Sequence, residues 1–255
     1  MSPDRSRGSA PDPAPARVPG APTVALRETC RVVAGPPFPE AVPLWPWHRA
    51  RLAAGGCGAA VLAASERAAA EAIGAYAGPA GPRIRLTVVA RPDGSVRASC
   101  QRRLSSLDVP GGPVVALVSV QAPPALPAGP AKPADRSAWD AAQSQAVRLG
   151  AHQALLVGPD DALIAGGTAT LWLVSRGVLV TPPSPPAIPG VARAWLLERV
   201  ESLGLSPDIR RVVPEDLDLA EGVFLTNAFA GAVAVRGRCG SVTGIVHEAF
   251  VSLWS

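Results

Sequence analysis

Lysine is nearly absent from this chain: of its 24 basic residues one, Lys132, is a lysine and the rest are arginines. An arginine stays protonated at any accessible pH, so any chemistry that needs a neutral amine, above all covalent attack on a carbonyl, rests on Lys132. Histidine is also scarce. His48, His152 and His247 lie far apart with no HExxH string and no nucleophile elbow, which leaves a hydrolase or a metalloenzyme without support. The four cysteines, Cys30, Cys57, Cys100 and Cys239, form no CxxC pair and have no histidine nearby, so neither a zinc site nor a disulfide framework is implied. No apolar run approaches the roughly 18 to 20 residues of a membrane span, because Arg, Glu, Asp, Pro or Gly breaks each one. The net charge of +4 is spread along the chain and not gathered into a stripe, and no nucleic-acid partner is expected.

What is present divides along the chain. Residues 1–22 are rich in Pro, Ala and Gly, with arginines but no apolar core of a signal peptide, and are expected to form a disordered tail. With 48% hydrophobic residues in 255, the remainder can bury one large or two small cores and fits a cytoplasmic protein. A first segment, 23–121, opens with a strand signal in TVALRETCRVVAG and continues as a helical stretch from His48 to about Gly78. RIRLTVVARPDGSVRASC then reads as two strands around a Pro-Asp-Gly turn, and GPVVALVSV as a further strand. The segment 122–131 has too many prolines for helix or central strand and is expected to be a linker. A second segment, 132–255, begins with Lys132. It reads as a helix ended by Gly150, two strands across Gly158-Pro159-Asp160-Asp161, a hairpin around Arg176-Gly177, a helix after Pro189-Gly190, and last strands in EGVFLTNAFAGAVAVRGRCG. Residues beyond Gly240 are given no element. Strands and helices mix without regular βαβ alternation, so two α+β domains are expected.

The order of these pieces resembles a known family. A lone lysine opening the second segment, a hairpin ending in Thr181-Pro182, the string Ile188-Pro189-Gly190-Val191-Ala192-Arg193 and the strand FLTNA together resemble the class IV aminotransferases. Arg27-Glu28-Thr29 is similar to that family's ETLR-type strand, and His48-Arg49-Ala50-Arg51-Leu52 to its HxxRL element. The resemblance covers about Arg27 to Val235. It implies the two-domain α+β fold type IV with pyridoxal 5'-phosphate in the cleft between the domains, and a homodimer.

What the resemblance implies for single residues has a physical sense in each case. Lys132 would bind the cofactor aldehyde covalently and move protons at the substrate carbon. Arg51 would pair with the cofactor phosphate through its planar fork of donors. Gly190, Val191 and Ala192, at a helix start, would offer backbone N–H groups to the same phosphate. Thr226, Asn227 and Ala228 would lie at a strand end facing the phosphate and the substrate. No metal ligand is implied, and the partner is a small-molecule substrate, with neither membrane nor nucleic acid.

Two departures bear on activity. The family's usual glutamate opposite the pyridine nitrogen falls on Ala165, and no acidic residue occurs between Asp161 and Glu198. Without it the ring nitrogen is less readily protonated and becomes a weaker electron sink, which should hurt transamination most. Ala192 stands where a threonine hydroxyl is common, so a weaker phosphate grip is expected. The strand LTNAFAGAVAV and the Lys132 to Arg136 spacing resemble the 4-amino-4-deoxychorismate lyases, which release pyruvate and 4-aminobenzoate. The alternatives are a branched-chain or D-amino acid aminotransferase and a degenerate member without turnover.

Overall fold

A computed structural model of the chain describes residues 18–79, 83–120 and 130–255. The first elements are β1 (Leu26–Val32), α1 (Trp45–Ala54), α2 (Ala59–Gly74), β2 (Ile84–Ala90) and β3 (Val96–Arg102). The three strands form an antiparallel sheet with β2 in the centre, in a register that sets Leu26 against Ala90 and Val32 against Ile84. Residues of β1 and β2 alternate strictly in burial, as a strand with one covered face must. Cys30, Val32, Leu86 and Val88 face the α2 side and pack into a core with Trp45 and Ala69. The other face carries Arg27, Thr29, Arg85 and Thr87. The helical stretch expected from His48 to Gly78 is two helices. It breaks at Gly55 to Gly58, where Gly56 takes φ 92°, a left-handed conformation that a helix cannot contain.

The second body is built from β4 (Val115–Ser119), α3 (Ser137–Arg148), β5 (Gln153–Val157), β6 (Leu163–Gly166), β7 (Thr170–Ser175), β8 (Val178–Thr181), α4 (Val191–Leu197), β9 (Ser206–Ile209), α5 (Pro214–Leu219), β10 (Gly222–Asn227), β11 (Gly231–Ala234) and α6 (Ser241–Leu253). Five strands run in the order β11-β10-β7-β8-β9, and three in the order β4-β5-β6. Trp172 and Phe224, directly opposite each other on β7 and β10, stack with ring centroids 6.0 Å apart. α4 and α6 cover them through Trp195 and Phe250.

Two boundaries differ from the sequence reading. β4 precedes the proline-rich segment yet pairs in parallel with β5 beyond it, and Leu107 packs with Leu155, Leu171 and Leu225. Residues 107–119 therefore belong to the second body, because pairing with a strand 38 positions on, Val115 with Gln153, leaves no local trace in the sequence. Of the expected linker, 122–129 lies outside the described residues. Of the expected tail, 1–17 does too, whereas at 18–22 Pro22 is buried and the Gly58 N–H donates to the Gly20 carbonyl at 2.7 Å. Among the described residues no helix is long and apolar enough to cross a membrane.

Candidate active site

Between the bare face of the first sheet and the second body lies a cleft of about 390 Å³. Lys132 reaches it because the chain around it is hydrogen-bonded to β1 as if it were a further strand. The Arg27 N–H donates to the Lys132 carbonyl at 3.0 Å and the Ala134 N–H to the Ala25 carbonyl at 2.7 Å. The Lys132 Nζ lies 3.4 Å from the Thr29 hydroxyl. Burial, then the like charges of Arg51 and Arg136, pull the ammonium down to about 7, with Glu28 offsetting part of the effect. A large share of the amine is therefore neutral near neutral pH, the state that attacks a carbonyl.

Arg51, from α1, is also on the cleft wall. One edge of its guanidinium is taken by Glu28: Nε donates to Oε1 at 2.9 Å and Nη2 to Oε2. Nη1 donates to the Pro189 carbonyl at 2.8 Å, which ties the first sheet to the loop before α4. Glu28 is 1% exposed and takes a third contact from His48 Nδ1 at 2.6 Å. Burial pushes its carboxyl up, but the Arg51 charge and the hydrogen bonds of His48 and Arg51 outweigh it and hold the group at about 2. Glu28, which holds Arg51 in place, was passed over in the sequence reading. Its only signal was its place beside Thr29 in the ETLR-like string.

At the other side of Arg51 the chain turns into α4. The first bond of the helix runs from the Ala194 N–H to the Gly190 carbonyl, so the amides of Val191 and Ala192 have no acceptor within it. Gly190 leaves no room for a side chain, since a Cβ there would stand 2.5 Å from the Thr170 hydroxyl. Asn227 closes β10 with its carbonyl oxygen accepting the Phe229 and Ala230 N–H groups at 3.0 and 2.7 Å. Thr226, Asn227 and Ala228 all line the cleft, with the Thr226 hydroxyl accepting from the Trp172 indole at 2.9 Å. Arg193 does not join them, because its guanidinium turns to the Pro182 carbonyl at 3.3 Å. The residues named from the sequence as cofactor contacts all line this one cleft.

The profile of amino-transferase class IV matches residues 25–237. The chain belongs to the class IV aminotransferase family. Members of this family use pyridoxal phosphate. Branched-chain-amino-acid aminotransferases of Salmonella typhimurium (strain LT2) and Escherichia coli (strain K12) are each 30% identical over 122 residues, 44% of this chain and 40% of theirs. The matched stretch thus spans well under half of those relatives. Across nearly the whole chain the fold is similar to a crystal structure of the Escherichia coli branched-chain amino acid aminotransferase, at 22% identity, 91% and 85% coverage of the two chains and a TM-score of 0.73. It is also similar to a Legionella pneumophila protein with a provisional assignment as 4-amino-4-deoxychorismate lyase, at 18% identity, 95% and 97% coverage and a TM-score of 0.69. The α+β class IV aminotransferase fold expected from the sequence is the fold observed.

The cleft suits the family's cofactor. It combines an amine shifted toward neutrality, a glycine held against a neighbouring strand at a helix start, and an arginine with two N–H donors left over by Glu28 and Pro189. The departure is at Ala165. This residue of β6 lines the cleft and packs beside Leu156 and Ile164, and the sole carboxylate among the lining residues is Asp140, 3.8 Å from Arg136.

Proposed function

We propose that this family member is a pyridoxal-phosphate-dependent lyase of the 4-amino-4-deoxychorismate kind, releasing pyruvate and 4-aminobenzoate. The observation that carries the choice is a cleft with a reactive lysine and, at Ala165, an apolar side chain in place of a carboxylate. Pyridoxal phosphate, when bound, withdraws electrons from the substrate carbon, and it does so less well when its ring nitrogen is not held protonated. A reaction that ends in an aromatic ring tolerates that loss, because the stability of its product favours the final step. Transamination has no such help.

Each residue has a stated part. Lys132 holds the cofactor covalently and carries a proton to and from the substrate carbon, a task suited to an amine that titrates near 7. Arg51 and the amides of Gly190, Val191 and Ala192 take the phosphate, and Glu28 fixes the Arg51 fork in the plane that this requires. Asn227 and Ala228 shape the facing wall. The second reading, a branched-chain aminotransferase, is favoured by the 30% identical relatives over their matched stretch. A homodimer, as the family resemblance implies, and a cytoplasmic setting, as the composition suggested, accompany either reading.

Borohydride reduction of protein saturated with pyridoxal phosphate, followed by peptide mass mapping, is expected to place a pyridoxyl group on Lys132; unmodified Lys132 alone would end the cofactor reading. A second experiment separates the activities. Pyruvate release from 4-amino-4-deoxychorismate, with slow conversion of the cofactor to its amine form by amino acids, is expected of the parent. Ala165→Glu should raise amine-form conversion by about tenfold or more while changing pyruvate release less. Fast conversion in the parent would favour the aminotransferase, and firm cofactor binding with neither activity would mark a degenerate member.

A further inference from the structure

α1 packs on both bodies. Trp45 and Leu52 are buried in cores of the first, whereas Leu44, at the start of the helix, is buried in the core of the second with Trp172 and Leu196. Trp47 and Arg51, about one turn apart on the same face of α1, reach to opposite ends of α4. Arg51 donates to the Pro189 carbonyl before that helix at 2.8 Å, and the Trp47 indole N–H donates to Glu198 Oε1 just after it at 2.7 Å. The two helices thus run antiparallel and are joined at both ends. Arg51 and Gly190 line the cleft, but Trp47 and Glu198 do not. This outer joint holds a cation as well. The Arg199 guanidinium carbon stands 5.2 Å from the centre of the Trp47 ring and 4.9 Å from that of the buried Trp195, and the group lies 3.8 Å from the Glu198 carboxylate. A charged acceptor for an indole N–H and a cation facing two indoles are directional contacts, lost when α1 shifts against α4.

We propose that Trp47, Glu198 and Arg199 form a clasp that holds the cleft closed over Lys132. With the indole released from Glu198, the hydrogen-bonded link between α1 and the ends of α4 falls to Arg51 alone among the described side chains, and the first sheet parts more readily from the α4 side. The three are positioning residues, since they act through α1 and none of them lines the cleft. The inference goes beyond the proposed reaction and needs only that Lys132 lies in the cleft, whatever it carries there.

Because Lys132 is the sole lysine, its labelling reads the opening directly. The full chain, freed of any bound aldehyde with hydroxylamine, is treated with cyanate and, separately, with a succinimidyl ester of a dye too bulky for the cleft of about 390 Å³; modification of Lys132 is followed by peptide mass. Trp47→Phe and Glu198→Ala are expected to speed the dye reaction about fivefold, as loss of one hydrogen bond at the joint brings, and to leave the cyanate reaction within about twofold. Arg199→Gln should act in the same direction. Glu198→Gln, whose amide oxygen still accepts from the indole, should stay near the parent. A dye rate unchanged in both Trp47→Phe and Glu198→Ala, or equal in the two Glu198 variants, would overturn the proposal. So would an equal rise with cyanate, which reports a change in the amine itself. Glu198 is exposed, so its two variants keep the test open should Trp47→Phe misfold. Release of pyridoxal phosphate from loaded protein should quicken in the same order. If the dye reaction responds and release does not, the clasp stands, and the reading of Arg51 and Gly190 as phosphate contacts is what fails.

Discussion

Three donors converge on the buried carboxylate of Glu28, two from the Arg51 guanidinium and one from His48, and that has a consequence for acid stability. In the unfolded chain the group titrates near its ordinary 4.5, and in the folded protein at about 2. Between those values the unfolded state binds more protons, so the contribution to stability is complete above about 4.5 and is lost as the pH falls through 2. Glu28→Gln should remove this part of the acid dependence and, by leaving Arg51 and His48 without their buried anion, cost about 3 kcal/mol at neutral pH. Denaturant melts of both proteins across that range check it; parallel curves would show that Glu28 shares no charge with Arg51. Lys132 was singled out in the sequence by the scarcity of lysine, and the structure places it in the cleft. The Glu28 to Arg51 pair was not, since the partners are 23 residues apart and meet through the packing of α1 on β1.

Elements with a strong local signature were read correctly, and those that depend on their neighbours were not. The Pro-Asp-Gly turn between β2 and β3 and the Arg176-Gly177 turn between β7 and β8 announce themselves by residue type. β9 did not: Ser206-Pro207-Asp208-Ile209 reads as loop and becomes a strand only through parallel pairing with β8 at the edge of its sheet. α6 has an i, i+4 pair, Val246 and Phe250, facing Trp195, but no side-chain cap marks its start at Gly240. At the start of α4 the close approach of Gly190 to Thr170 gives an element-scale prediction. Gly190→Ala must move the Thr170 hydroxyl, the helix start or β7, and is expected to weaken cofactor retention by about tenfold with a stability loss of only about 1 kcal/mol. Equilibrium dialysis beside a thermal melt separates the two effects. Unchanged retention would mean that the α4 amides do not hold the phosphate.

The whole chain is less divisible than its proline-rich segment suggests. β5 is buried throughout and lies between β4 and β6, so a piece of the chain beginning at residue 130 exposes one edge of its most buried strand. We expect such a piece to aggregate, and a longer one beginning near residue 104, which restores β4 and Leu107, to remain monodisperse in light scattering. If both behave alike, the parallel pairing contributes little. The division into two bodies was visible from composition, while its true position was not, because it is written in a strand pairing that skips the whole of α3.

The backbone bonds between Lys132 and β1 also decide what moves with what. The amine is anchored to the first sheet although the chain that carries it continues directly into α3, whereas Gly190 rides on the second body. Two side-chain donors of α1 span the two here, Arg51 through the Pro189 carbonyl and the Trp47 indole through Glu198. Any widening of the cleft therefore stretches the distance between Lys132, the proposed covalent anchor, and the proposed phosphate cradle at Gly190, which a single small molecule held at both ends would resist. Bound cofactor would thus act as a tie rod across the two bodies, and the breadth of the cleft would be set by the length of its ligand.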